Sequence, residues 1–269
     1  MTRVVPTAEF ASLVYGPAGV ALNDPAEAFH EASRLHPHIA PARLTTLQEL
    51  SQSVELQQTA ARASRTHDHR PGIDLTRGGL PRTPLRAALA RRRSARAGAS
   101  RSVGLDELGA VLEAGYGTRL RARELRRPVP SGGALYPLEL YVLAVAVEQL
   151  EPSVVHYNPF RHRLETLGTL DPARAGEALV DRELVEGAAA LVVVTAMFWR
   201  TRFKYGARGY RFALLEAGHV VQNLALAAAV LGLSALPIGG FYDRRLDALV
   251  GADGLDEATL YVLALGGRA

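Results

Sequence analysis

Lys204 and Tyr205 stand side by side in the stretch FKYGARGYRF (203–212) of a 269-residue chain whose 31 basic residues are otherwise all arginine. Arginine keeps its proton in proteins, whereas a lysine amine is pushed towards neutrality by burial or by nearby positive charge. Arg200, Arg202 and Arg208 crowd this lysine in sequence. A lysine retained where arginine is the rule therefore marks a place where a proton can move, and the adjacent phenol is a second titratable group. Such a pair can carry out general acid–base chemistry. One lysine has to fall somewhere, so what gives this one weight is its place between a buried strand and a long helix, where active-site residues are commonly displayed.

Three other segments have composition suited to a ligand. Arg91-Arg92-Arg93-Ser94-Ala95-Arg96 is the one dense basic run in the chain, readable either as a solvated helix end or as the anchor for a single phosphate, whose geometry suits guanidinium pairs. Pro128-Val129-Pro130-Ser131-Gly132-Gly133-Ala134-Leu135-Tyr136-Pro137 places two side-chain-free residues between prolines ahead of a strand. It is a rigid turn, or a turn whose backbone N–H groups can approach a flat ligand. Leu236-Pro237-Ile238-Gly239-Gly240-Phe241 repeats the idea after the long helix. Neither matches the dinucleotide fingerprint or the phosphate loop of nucleoside triphosphatases. Glu216, His219 and Asn223 fall at spacings of three and four on one helical stripe, and His219 reads as a hydrogen-bonded core residue rather than a ligand. HExxH and HxxxH are absent, His67 and His69 lie in a polar stretch, and no metal site is expected.

The rest of the chain must position these groups. Hydrophobic residues make up 48% of it, enough for a substantial core, and the absence of cysteine excludes disulfides and thiolate metal sites. The start lacks the apolar core of a secretory signal and the longest apolar run, around Asn223 to Gly239, is interrupted by Gly and Pro, so a cytoplasmic, non-membrane protein is expected. A net charge of +4 and a pI near 9.6 admit nucleic acid, but the arginines are scattered among Asp and Glu, and none is expected as a partner. Helices are predicted over 24–60, from Asp24-Pro25 through AEAFHEASRL and then LTTLQELSQSVELQQTAA, and over LDELGAVLEAGYG up to Gly115 or Gly117. Residues 64–84 read as a connector. Buried strands are predicted at LELYVLAVAV, ALVVVTAMF and TLYVLALGG, and a hairpin over VVHYNPFRHRLETLG centred on Asn158-Pro159. A helix apolar nearly all round is predicted from about 208 to 231, ending at Gly232. These elements predict an α+β fold, a mixed sheet covered by helices, with a main domain over 85–269 and a helical region and linker over 1–84.

In this order the segments RRRSAR, PSGGALYPLELYV, KYGARGYRFALLEAGHVVQNLALAA and PIGGF resemble the flavin-dependent azoline dehydrogenases of the nitroreductase superfamily, the streptolysin-type oxidases. The resemblance runs from near Phe29 to the C-terminus. It implies an FMN-binding homodimer with flavin sites at the subunit interface, and a peptide substrate whose thiazoline or oxazoline rings become thiazoles or oxazoles. It implies phosphate and ribityl contacts from Arg92, Arg93, Ser94, Arg96 and Arg268, and ring contacts from Pro130, Ser131, Gly132 and Gly133 of the partner subunit and from Gly239 and Gly240. It places the family's Lys-Tyr pair on Lys204 and Tyr205, either of which could be the base, and it implies a cyclodehydratase as a working partner. An NAD(P)H-dependent nitroreductase or quinone reductase, or a non-catalytic scaffold subunit, are the competing readings.

Overall fold

Two apolar runs of strand length form the middle of the sheet, β4 (Leu138–Ala144) and β7 (Ala190–Met197), paired antiparallel with Tyr141 opposite Val193. Both are buried along almost their whole length. Their side chains alternate between two cores: Leu138, Leu140, Val142, Val192 and Val194 on one face, Tyr141, Leu143, Leu191 and Val193 on the other. That division follows from the two-residue period of a strand, and it explains why these runs lack polar alternation.

In the computed structural model the described residues are 24–35, 53, 55, 64–96, 102–121 and 124–267. The remaining strands are β1 (Gly72–Asp74), β2 (Arg119–Arg121), β3 (Glu124–Arg126), β5 (Ser153–Asn158), β6 (Arg163–Thr169), β8 (Ser234–Ile238) and β9 (Glu257–Gly266). The helices are α1 (Pro25–Ala32), α2 (Leu85–Arg91), α3 (Leu105–Tyr116), α4 (Pro172–Glu177), α5 (Trp199–Tyr205), α6 (Ala207–Leu231) and α7 (Asp243–Val250). The main sheet has the order β1-β6-β5-β4-β7-β9-β8, and β2–β3 form a separate ribbon. The expected hairpin is β5–β6, its turn tied by Asn158 Oδ1 accepting from the Phe160 and Arg161 amides.

Where a mixed sheet was expected, every paired strand of the main sheet among the described residues runs antiparallel; parallel contact among them is confined to isolated bridges, Ser94 with Ala235 and Val103 with Val147. Hairpins and long returns, rather than helical crossovers, connect neighbouring strands, and this arrangement needs no parallel pair. The connector over 64–84 supplies β1, which extends the sheet at β6. The second predicted N-terminal helix lies outside the described residues.

Helix α6 packs with α3 against one face of the sheet, Val220 and Leu224 sharing one buried core with Leu108 and Leu112. It ends at Gly232 in the left-handed conformation, φ 77°. Gly115 of α3 lets the two helices close up: a Cβ there would run into Leu224. The expected all-round burial of α6 is corrected: Leu214 and Leu215 are exposed, and His219, expected in the core, is exposed as well. α6 is the one helix among the described residues long and apolar enough to cross a membrane, and half of its most apolar window is buried within the fold.

Candidate active site

Lys204 and Tyr205 occupy the last turn of α5, a seven-residue helix between β7 and α6. The chain leaves α5 through Gly206, whose φ of 55° and ψ of −136° suit glycine alone, and α6 begins at the next residue. The two helices lock together where Gly209 lies against the Thr201 backbone, a Cβ there standing 2.7 Å from the Thr201 carbonyl carbon. Thr201 Oγ1 donates to the Gly209 carbonyl at 3.1 Å. The amine and the phenol are thereby fixed relative to the core helix.

Both side chains converge on the glycine turn of their own chain. A Cβ built on Gly133 would stand 2.6 Å from the Tyr205 hydroxyl and 3.0 Å from Lys204 Nζ, and one on Gly132 would stand 3.0 Å from the Phe212 ring. Phe212 packs edge-on against Tyr205 at 4.9 Å between centroids, and Lys204 Nζ lies 5.5 Å from the Tyr205 ring centre. The glycines are therefore required by close approach, and Gly133 also by its φ of 65°. Ala134 and Tyr136 share the left-handed region, φ 54° and 45°, at about 1–2 kcal/mol for each residue with a Cβ. Strain of this kind persists only where surrounding contacts over-determine it.

Two buried polar clusters flank the turn. On the α6 side Glu216, 2% exposed, accepts from the Tyr116 hydroxyl at 3.0 Å, and that hydroxyl accepts from the Leu138 amide at 3.2 Å. Burial pushes the Glu216 carboxyl up to about 7, against the pull of the Ser131 and Tyr116 hydroxyls and the Arg127 guanidinium. Arg127 is itself packed over the Tyr116 and Tyr136 rings, at 4.1 and 4.8 Å. On the α5 side Arg200 pairs with Glu139 at 2.7 Å, and the far oxygen of Glu139 meets His156 Nε2 at 2.9 Å. His156 reaches Glu165 with its other nitrogen, at 3.2 Å. Despite burial, the two carboxylates hold His156 up at about 9, and the imidazolium with Arg200 holds Glu139 down at about 2.

The phosphate candidates form a separate group. Arg93 and Arg96 line a narrow cleft with Arg91, against Ala225 and Ala229 of α6 and Ala235 of β8. The Ala95 amide donates to the Ala235 carbonyl at 3.1 Å, and Ser94 bridges to the same residue, so the basic run is pinned to the start of the edge strand β8. Arg92 caps the end of α2. Gly239 and Gly240 are exposed at the other end of β8, with nothing within 4 Å of a Cβ on Gly239. Pro130 is exposed ahead of the turn, and Ser131 accepts from the Tyr136 amide at 2.9 Å. Arg268 lies outside the described residues. Tyr116, Arg127, Glu139 and His156 were not singled out from sequence, and Arg200 was read only as a positive charge near Lys204; their partners lie on other elements and are brought together by the tertiary fold.

Residues 89–267 match the model of the Nitroreductase family. The chain is 36% identical over 165 residues to the nitroreductase-type protein MJ1384 of Methanocaldococcus jannaschii, covering 60% of this chain and 81% of that one. It is 33% identical over 148 residues to the microcin B17-processing protein McbC of Escherichia coli, covering 53% of this chain but only 54% of McbC. Its fold is similar to one chain of the E. coli microcin synthetase McbBCD complex with truncated pro-MccB17 bound, with a TM-score of 0.59 at 22% identity over 87% of this chain and 99% of that one.

Proposed function

The chain belongs to the nitroreductase family, and from that premise we propose that it is an FMN-dependent dehydrogenase that oxidises thiazoline or oxazoline rings in a peptide precursor to thiazoles or oxazoles, with dioxygen as the final acceptor. The observation that carries this reading is the convergence of Lys204 Nζ and the Tyr205 hydroxyl on Gly133. The similarity to McbC, a microcin-processing protein, supports a peptide substrate.

The donor set fits FMN. Arg91, Arg93 and Arg96 around one cleft offer the forked cationic donors that a phosphate takes, and Gly239–Gly240 leave backbone free of side chains nearby along β8. Arg92 and Ser94, together with Arg268, complete the proposed phosphate and ribityl contacts. The glycine turn touches α6 at Phe212 and the arginine cleft touches it at Ala225, positions separated by about 20 Å of helix at 1.5 Å per residue. One flavin does not reach from its phosphate to its reactive ring edge over that span. This supports a homodimer in which the Pro130–Gly133 turn, with Lys204 and Tyr205, completes the site that the arginines of the other subunit begin.

When bound, FMN supplies the two-electron acceptor that the side chains lack. Aromatising an azoline removes a hydride equivalent from one ring carbon and a proton from its neighbour, and the proton falls to the protein. Lys204 or Tyr205 takes it, the two acting as a pair beside a turn with no side chain to obstruct the ring. Phe212 and the Thr201–Gly209 contact hold the pair in place, which is the pre-organisation a proton transfer requires. The N-terminal region, 1–84, whose linker contributes β1 to the main sheet, is proposed as the contact surface for a cyclodehydratase. Its α1 docks on α6 beside the site, with Arg211 Nε donating to Ser33 Oγ at 2.7 Å.

The test is incubation of the flavin-loaded protein in air with a thiazoline-containing peptide. Loss of two hydrogen atoms from the peptide by mass supports the proposal. An unchanged peptide, with rapid NADPH-dependent reduction of a quinone or nitroarene, replaces it with the reductase reading, which the M. jannaschii relative favours.

A further inference from the structure

The segment from Ser131 to Leu138 is strained and yet must hold Gly133 against the amine and the phenol. Its internal bonds run through Ser131: the Ala134 amide donates to the Ser131 carbonyl at 3.0 Å and the Tyr136 amide to Ser131 Oγ at 2.9 Å. The hydroxyl's accepting side is thus engaged, and the hydroxyl stands close enough to the Glu216 carboxyl to favour its ionised form. At the other end of the segment the Leu138 amide donates to Tyr116 Oη, and Tyr116 passes its own proton to Glu216 Oε1. The Leu138 end of the strained segment is therefore hydrogen-bonded through Tyr116 to a carboxyl on the core helix, and the Ser131 end lies beside the same carboxyl.

We propose that Glu216 is a positioning residue that clamps the Ser131–Leu138 segment through the Tyr116 hydroxyl, with the Ser131 hydroxyl beside the same carboxyl, and that loss of its proton tightens the clamp. The inference deepens the azoline-dehydrogenase reading and rests on it only for the consequence in catalysis. Glu216 touches none of the reacting groups; it acts through the turn. Its second oxygen is buried and has no hydrogen-bond partner among the described residues, so ionisation is opposed by burial rather than by a competing acid. The groups facing it are Tyr116 from α3, Arg127 and Ser131 from the segment ahead of β4, with Glu139 acting on Tyr116 from β4. Burial outweighs the hydroxyls and the guanidinium and brings the titration to about 7. The sign follows from linkage. Because the two hydroxyls make Glu216 more acidic, removal of its proton must strengthen both of those interactions by the same factor. Hydrogen bonds to a charged acceptor are about twice as strong as those to a neutral one.

Hydrogen exchange on the full-length protein without substrate measures the clamp directly, through the protection factors of the Tyr136 and Leu138 amides. In the wild type these factors rise roughly fivefold or more between about pH 6 and 8, while those of β7 do not. In Glu216→Gln, which keeps the shape and one accepting oxygen, they are independent of pH, and in Glu216→Ala they are low throughout. Equal pH dependence in the wild type and Glu216→Gln overturns the proposal, as does full protection in a folded Glu216→Ala. Because exchange is read without turnover, failure of the clamp is distinguishable from failure of the proposed reaction.

Discussion

Gly133 concentrates the demands of the site at one residue. It is left-handed, and its missing Cβ is the space against which the Tyr205 hydroxyl and Lys204 Nζ rest. Gly133→Ala is expected to destabilise the fold by about 1–2 kcal/mol from backbone conformation alone, with a further cost from displacing Tyr205. Urea unfolding reads the first effect, and loss of the proposed azoline oxidation reads the second. A variant as stable and active as the wild type would mean that the turn does not contact the pair in solution. The solitary lysine and the six-residue basic run stand out as candidates because each departs from the chain's composition, and the glycine turn because prolines bracket it. Glu216 was visible as a polar interruption in an apolar helix, but the partners that give it meaning lie 85 and 100 positions away, at Ser131 and Tyr116, and no local pattern announces them.

At the scale of elements, the strands carry a chain of buried charges: Arg200 after β7, Glu139 on β4, His156 on β5 and Glu165 on β6. This chain ties α5, and with it Lys204, to the middle of the sheet. Removing one member leaves its neighbours buried and unpaired, so Glu139→Ala is expected to cost about 3–5 kcal/mol. The pH dependence has a definite sign. His156 is raised to about 9, so its contribution is complete below about 6.5 and fades as pH climbs to 9. Glu139 and Glu165 are lowered to about 2, so theirs is complete above about 4.5 and fades as pH falls towards 2. Glu216, raised to about 7, removes stability between about 4.5 and 7. Unfolding midpoints measured across this range should decline on the alkaline side, and His156→Gln should abolish the part of that decline above about pH 7. An unaltered alkaline limb in that variant would refute the assignment. The strands themselves were predictable because β4, β7 and β9 are long apolar runs. Their antiparallel order was not, since buried parallel and buried antiparallel strands share the same composition.

For the whole molecule, Leu214 and Leu215 on α6 and Leu85 and Leu89 on α2 are large apolar side chains that the single chain leaves exposed. Exposed apolar side chains of this size favour being covered, and Leu214 and Leu215 lie on the helix that links the arginine cleft to the glycine turn, as the proposed two-chain site requires. Leu215→Lys is expected to shift sedimentation from dimer to monomer and to weaken FMN binding at least tenfold; a variant that stays dimeric with flavin affinity intact would rule out this face. The α+β class was legible because long strands and one long helix dominate the chain, whereas the proposed completion of the site by a second copy came only from the family resemblance, since no local pattern in one sequence tells which surface a second copy covers. The most direct measurement is a single turnover without oxygen, comparing wild type with Lys204→Arg, both loaded with FMN and mixed with a thiazoline peptide. Arginine is of similar length but stays protonated in proteins, so it cannot take a proton from the ring. Wild-type flavin absorbance should bleach as the thiazole forms, and bleaching in Lys204→Arg should be slower by about 100-fold or more. Equal rates in the two proteins would contradict the role given to the lysine.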